Sequence, residues 1–158
     1  MISEPKVYEE QIESFFEMME RYAPVSGVVL NSDAWSLKEM VGHLIDSASN
    51  NHQRFIRLQT EKELRFPPYD AESWKTISHA QSCDYSCLIT LWKSYNLYLL
   101  HIIKNADPKS LSNVWISEKG EKPLDSIIED FFRHLEWHRE LFLKRAAEIE
   151  AAGQPGNS

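Results

Sequence analysis

Apolar residues recur at helical spacing over four long stretches of the chain. Tyr8, Ile12, Phe15, Met19 and Tyr22 share one side of a 3.6-residue period and predict a first helix from about Glu4 to Arg21, stopped by Pro24 and Gly27. Ser36 precedes Glu39 by three residues, the pattern in which a hydroxyl and a carboxylate satisfy the free N–H groups of a helix start. It predicts a second helix running to about Lys62, with Met40, Leu44, Ala48, Phe55 and Leu58 on its apolar face. Phe66-Pro67-Pro68-Tyr69-Asp70 breaks that pattern, and Asp70 is placed to cap a short helical turn that includes Trp74. A third long helix begins near Ser82 or Asp84, carries Leu88, Leu91, Trp92, Tyr95, Tyr98, Leu99 and Ile102, and ends before Asp107-Pro108. The stretch from Ser112 to Lys122, with Trp115 and a turn at Gly120, predicts an extended loop or a small hairpin. Pro123 suits the first turn of a last helix that reaches about Ala151.

Four amphipathic helices in one chain predict an all-α fold, a four-helix bundle. Residues 1–152 read as a single domain and residues 153–158 as a disordered tail. The connection between the second and third helices, about twenty residues, is long for a simple up-down bundle. Long connections in compact domains are often functional, which makes the FPPYD segment a candidate cover for a site.

Composition narrows the function classes. The 158 residues carry a formal charge of -7, and 42% are apolar, enough to build one core without staples. An acidic chain with no basic cluster lacks the Lys and Arg that neutralise phosphates, so nucleic acid and anionic membrane surfaces are not expected partners. No apolar run has the length of a membrane span, and MISEPKVYEE lacks a signal-peptide core; a cytoplasmic location is expected. The two cysteines, Cys83 and Cys87, are too few for a disulfide framework and fit small apolar residues on a helix face better than a metal or thiol pair.

Histidine placement supplies the candidate chemistry. His134 and His138 lie one turn apart in the stripe formed by Ile127, Phe131, Leu141, Phe142 and Arg145. Two imidazoles at i, i+4 project together and can bind one metal ion; the same pair also fits two core histidines satisfied by neighbours. In the second helix, at about 100° per residue, Asn50 and Arg54 project close to His43, with Asp46 and Ser47 beside that line. Such a line fits the lining of a polar pocket or the solvated border of a buried face. His52 points about 180° from His43 and cannot share a metal with it. His101 near a helix C-terminus has a structural explanation in the helix dipole, and His79 lies in the long connection.

Trp35-Ser36-Leu37, Val41-Gly42-His43-Leu44-Ile45-Asp46 and Asn50-Asn51-His52-Gln53-Arg54-Phe55 in the second helix, with His134-Leu135-Glu136-Trp137-His138 in the fourth, resemble the DinB/YfiT-like superfamily over nearly the whole chain. The resemblance implies a four-helix bundle in which one histidine of the second helix and the HxxxH pair of the fourth bind a divalent metal. Carried onto this chain, the ligands are His43, His134 and His138. The superfamily includes bacillithiol transferases, mycothiol-dependent maleylpyruvate isomerases and members described as metal-dependent hydrolases.

Three neutral imidazoles leave an open coordination position, which suits catalysis rather than a closed structural site. A zinc or nickel ion held there can activate water, giving a hydrolase, or a low-molecular-weight thiol cosubstrate, giving a transferase. Asp46 and Asn50 are candidates for supporting the site, and Arg54, Tyr69 and Asp70 for contacting a small-molecule substrate. The competing expectation is a non-catalytic bundle, binding a ligand or forming a homodimer, whose histidines are structural.

Overall fold

Ser36 sets the start of the helix that carries the polar line. In the computed structural model, which describes residues 5–153, its hydroxyl accepts from the Glu39 N–H at 3.2 Å and the Glu39 carboxylate accepts from the Ser36 N–H at 2.9 Å. This reciprocal cap opens α2 (Leu37–Arg57), the second of four long helices that also include α1 (Pro5–Arg21), α4 (Tyr85–Lys104) and α5 (Leu124–Gly153). Asp84 caps α4 in a related way, accepting from the Cys87 N–H at 2.8 Å. α4 packs on both α1 and α2, and α5 closes against α2 and α1. This is the expected four-helix bundle. The N-terminal residue of the expected first helix, Glu4, and residues 154–158 of the expected tail lie outside the described residues; Gly153, placed in that tail, is the last residue of α5.

The core is aromatic at its centre. Phe15 of α1 meets Trp92 of α4 edge-on at 5.0 Å and Phe142 of α5 at 5.5 Å between ring centroids. All three rings are fully buried, and each large ring deleted from such a core costs about 3–5 kcal/mol. Leu91 and Tyr98, two of the residues that suggested α4, point outward and are about half exposed.

The connections depart from the expected pattern in three places. α2 ends at Arg57 rather than near Lys62, because the chain is drawn into strand β1 (Glu63–Arg65), which pairs in parallel with β2 (Val114–Ser117). The Asn113 side chain anchors the exit by donating to the Leu58 carbonyl at 2.6 Å. Ser112 to Lys122 resolves into a hairpin of β2 and β3 (Gly120–Pro123), turned at Gly120 with φ +114°. Pro123 closes β3, opposite Val114, instead of opening the last helix; a residue without an N–H fits the end of an edge strand, and Leu124 starts α5. The long connection also holds a complete helix, α3 (Ala71–Ser78), capped by Asp70 through the Ser73 N–H at 2.8 Å.

One close approach locks this connection onto α2. A Cβ on Gly42 would lie 2.7 Å from the Ala80 Cβ, so only glycine lets the segment after α3 sit there. The Lys38 ammonium donates to the Cys83 carbonyl at 2.9 Å, and Gln81 accepts from the Ser36 hydroxyl at 2.5 Å. The connection is thereby held across the N-terminal half of α2, directly above His43.

Candidate metal centre

His43 stands in the second turn of α2, and His134 and His138 in successive turns of α5, so packing these two helices brings all three rings to one place. One ring nitrogen from each lies within 4.8 Å of the other two. Among the described residues this is the one such group of three or more metal-ligating side chains, and it contains neither cysteine. The Nε2 atoms of His134 and His138 are 3.0 Å apart, and the ring of His43 lies 4.9 Å from that of His138. His138 is the deepest, 8% exposed.

The donor set fits a divalent ion. Two imidazole nitrogens sharing one tetrahedral zinc sit roughly 3.3 Å apart, close to the separation seen for His134 and His138. The Nδ1 atom of His43 is buried without a hydrogen-bond partner, as a ring awaiting another kind of contact would be. Burial lowers the pKa of all three rings. For His138 the neighbouring His134 and His43 add to it and bring the value to about 3; for His43 the proximity of His134 adds, and for His134 Asp130 partly opposes. At neutral pH the cluster is therefore three neutral imidazoles, the form that ligates metal. The convergence turns His43 toward the pair and into the cavity lining rather than along a solvated border, while the contact between the His134 and His138 Nε2 atoms is one that a histidine pair satisfied by its neighbours also makes.

Aromatic side chains frame the cluster. Trp35 lies 5.6 Å from His43, Trp137 lies 4.8 Å from His138, and Tyr69 of the FPPYD segment lies 6.3 Å from His43, all between ring centroids. Of that segment only Tyr69 reaches the site; Pro67, Pro68 and Asp70 are exposed and line neither cavity described below. Two cavities open on the histidines. One, about 380 Å³, is lined by Trp35, Met40, Leu141, Lys144 and Arg145. The other, about 760 Å³, is lined by Arg54, Tyr69, Trp115, Lys119, Lys122 and Arg133. His43, Ala71, His134 and Trp137 border both.

The remaining candidates divide. Arg54 is 8% exposed and lines the larger cavity, with its guanidinium 4.0 Å above the Trp115 ring and Nη1 donating to Asn51 Oδ1 at 3.2 Å. Tyr69 lines the same cavity, and burial raises its pKa. Asp70 is exposed and engaged as the cap of α3. Asn50 is buried but donates to the Asp46 carbonyl of its own helix at 2.9 Å. Asp46 has a buried carboxylate oxygen, Oδ2, without a partner, and burial raises its pKa to about 6. Neither Asp46 nor Asn50 borders the two cavities. His52 is held on the far side of α2 by Tyr95, whose hydroxyl lies 2.9 Å from Nδ1. His79 is exposed at φ +52°, in the left-handed turn after α3, and His101 is exposed in the last turn of α4.

Sequence reasoning did not single out Trp137, Trp115 or the cations of the hairpin. Trp137 carried a usable signal: it sits between the two histidines of HLEWH yet off the buried stripe, and it is 52% exposed. The hairpin residues had none, because their place beside α2 depends on the β1–β2 pairing across fifty residues of chain.

No family model matches the chain, and no curated protein matches it. Among solved structures it is similar to YfiT from Bacillus subtilis, described as a probable metal-dependent hydrolase with an unusual four-helix bundle topology. The two share 14% sequence identity with a TM-score of 0.78, over 96% of this chain and 90% of that one. The chain thus has the YfiT-type four-helix bundle fold, and it carries a three-histidine cluster between its second and last long helices.

Proposed function

We propose that the protein is a metal-dependent enzyme acting on a small molecule, with His43, His134 and His138 holding one divalent ion, zinc or nickel. The observation that carries this reading is the convergence of three neutral-biased imidazoles on one point that opens into two cavities. Three ligands leave coordination positions free, and a bound ion supplies Lewis acidity there, lowering the pKa of water or of a thiol. The protein's own part is positional. Trp35, Trp137 and Tyr69 frame the cluster and form the apolar walls that a substrate reaching it would meet. Arg54 and Tyr69 contact substrate in the larger cavity, while Asp70 serves α3. Asp46 and Asn50 support the α2 segment behind His43.

Hydrolysis and thiol transfer both use this arrangement. The description of YfiT favours hydrolysis. Two cavities meeting over one cluster favour transfer, since they give a low-molecular-weight thiol and its acceptor separate places. No helix among the described residues is long and apolar enough to cross a membrane. A cytoplasmic location and a homodimeric assembly belong to the same proposal.

The test is metal analysis of untagged protein, before and after re-addition of zinc or nickel, followed by assay of the loaded protein. The assay pairs electrophilic acceptors with bacillithiol, mycothiol, glutathione and coenzyme A, and runs simple esters and amides without thiol. About one equivalent of metal and metal-dependent turnover are expected. Failure to take up metal under any condition would return the cluster to a structural role.

A further inference from the structure

The larger cavity is cationic in a protein whose net charge is -7. Arg54, Lys119, Lys122 and Arg133 line it, with Asp130 as the carboxylate among its walls. Lys122 and Arg133 both pair with Asp130, Arg133 at 3.1 Å. Arg54 and Lys119 pair with no carboxylate among the described residues.

Arg54 is the telling member. A buried guanidinium ordinarily sits against a carboxylate, because removing its charge from water is expensive. Here the side chain is 8% exposed, and its charge is met by the faces of Trp115 at 4.0 Å and Phe66 at 5.8 Å and by one amide oxygen, that of Asn51. Its Nε is buried and donates to nothing. Trp115 is itself fixed, its indole N–H donating to the Phe66 carbonyl at 2.8 Å, so the ring face over which the guanidinium carbon lies is in place before any ligand arrives. The guanidinium is a planar fork of N–H donors, and a pair of parallel donors on its edge matches a carboxylate.

We infer that the substrate carries a carboxylate arm, which enters the larger cavity and is received by Arg54 against Trp115. This rests on the reading of the histidines as the reacting centre. From His43 to Arg54 is eleven residues along α2, roughly 16 Å between Cα atoms, and helical side chains lean back toward the N-terminus. The carboxylate therefore stands several bonds away from the reacting group. Lys119, unpaired on the hairpin, draws the anion in, and Arg54 orients it.

The probe series is butyrate, glutarate, adipate and pimelate, titrated calorimetrically into metal-free and zinc-loaded protein, with sulfate as a non-planar anion. Adipate or pimelate should bind, more tightly than sulfate and more tightly than butyrate in the zinc-loaded protein. Arg54→Met, which keeps an unbranched side chain but removes the charge and the donors, should weaken dicarboxylate binding at least tenfold. Arg54→Lys should restore only part of it, because an ammonium lacks the planar edge. Zinc uptake should be unchanged in both variants. In the wild type, the Arg54 Nε–H resonance should move on titration with adipate, a readout that needs no variant to fold. Dicarboxylate binding unaffected in a folded Arg54→Met, sulfate binding as tightly as adipate, or a stationary Arg54 resonance would each overturn the inference. Zinc uptake without dicarboxylate binding removes this inference alone; dicarboxylate binding through Arg54 without zinc uptake removes the catalytic reading and leaves the anion site standing.

Discussion

At the scale of single residues, the cluster is built from groups that water would serve better unless something else binds them. His138 is buried, and its nearest polar partner is another imidazole nitrogen. His134→Ala and His138→Ala should therefore each abolish the rise in melting temperature produced by zinc or nickel, while far-UV circular dichroism stays unchanged, because neither ring belongs to the aromatic centre at Phe15, Trp92 and Phe142. If the histidines were structural, His138→Ala would instead destabilise the metal-free protein by about 1–3 kcal/mol, and metal would change nothing in either form. Asp46 makes a separate prediction. Its folded pKa is raised from 3.8 to about 6, so above about pH 6 the fold holds a carboxylate in a site that disfavours its charge. Asp46→Asn should raise the melting temperature above that pH, with the gain shrinking as pH falls from about 6 through 3.8, below which the wild-type carboxyl is neutral both folded and unfolded. The pair His134 and His138 was legible from i, i+4 spacing alone. His43 was legible as part of a polar line, and became a ligand only through the family resemblance, since spacing within one helix does not say which other helix faces it. Arg54 was legible as a pocket residue but not as a stacked one: its partner Trp115 comes from a hairpin more than fifty residues away.

At the scale of elements, the helices followed from local chemistry and the connections did not. Apolar periodicity and the caps at Ser36, Asp70 and Asp84 are written within a few residues of each helix start, so they survive reading without tertiary context. β1 is three residues long with one buried side chain, Leu64, too short for alternation to stand out, and its pairing with β2 is parallel and distant in sequence. The end of α2 was misplaced for the same reason, since strand pairing overrides the helical preference of Gln59 to Lys62. Gly42 shows how an element interior can be committed to a connection. Gly42→Ala would place a methyl 2.7 Å from the Ala80 Cβ. Despite alanine's better helix propensity, the substitution should destabilise the protein by about 1–3 kcal/mol, as overpacking does. Adding Ala80→Gly should recover part of that loss. The coupling, read from urea melts of the two single variants and the double, checks that the contact and not the backbone is responsible. An additive result would point to the backbone.

At the scale of the whole molecule, protons and metal compete for one cluster, and the folded state alone gathers it. A chain that unfolds releases three ordinary imidazoles, each ready to take a proton near pH 6.5, whereas the folded rings have lowered values, about 3 for His138. Between those limits the unfolded chain binds more protons, so stability of the metal-free protein rises with pH and is lost as pH falls below 6.5. Each fully withheld proton contributes about 1.4 kcal/mol per pH unit to that slope. Asp46 opposes it between about 6 and 3.8, where the folded state holds the extra proton, but it is one group against three. Metal binds the folded cluster and adds stability by mass action, about 2.7 kcal/mol when free metal is a hundred times its dissociation constant. Protonation of a free histidine suggests that this gain fades below about pH 6. The lowered folded values shift the fading to more acid pH, because what competes with metal is protonation of the native rings, and those stay neutral longer. Thermal melts from neutral pH downward, with and without zinc, should show the metal-free melting temperature falling first while the zinc-dependent increment persists past pH 6. An increment that collapses in step with the titration of free histidine would mean the rings are less shielded than their burial between α2 and α5 implies.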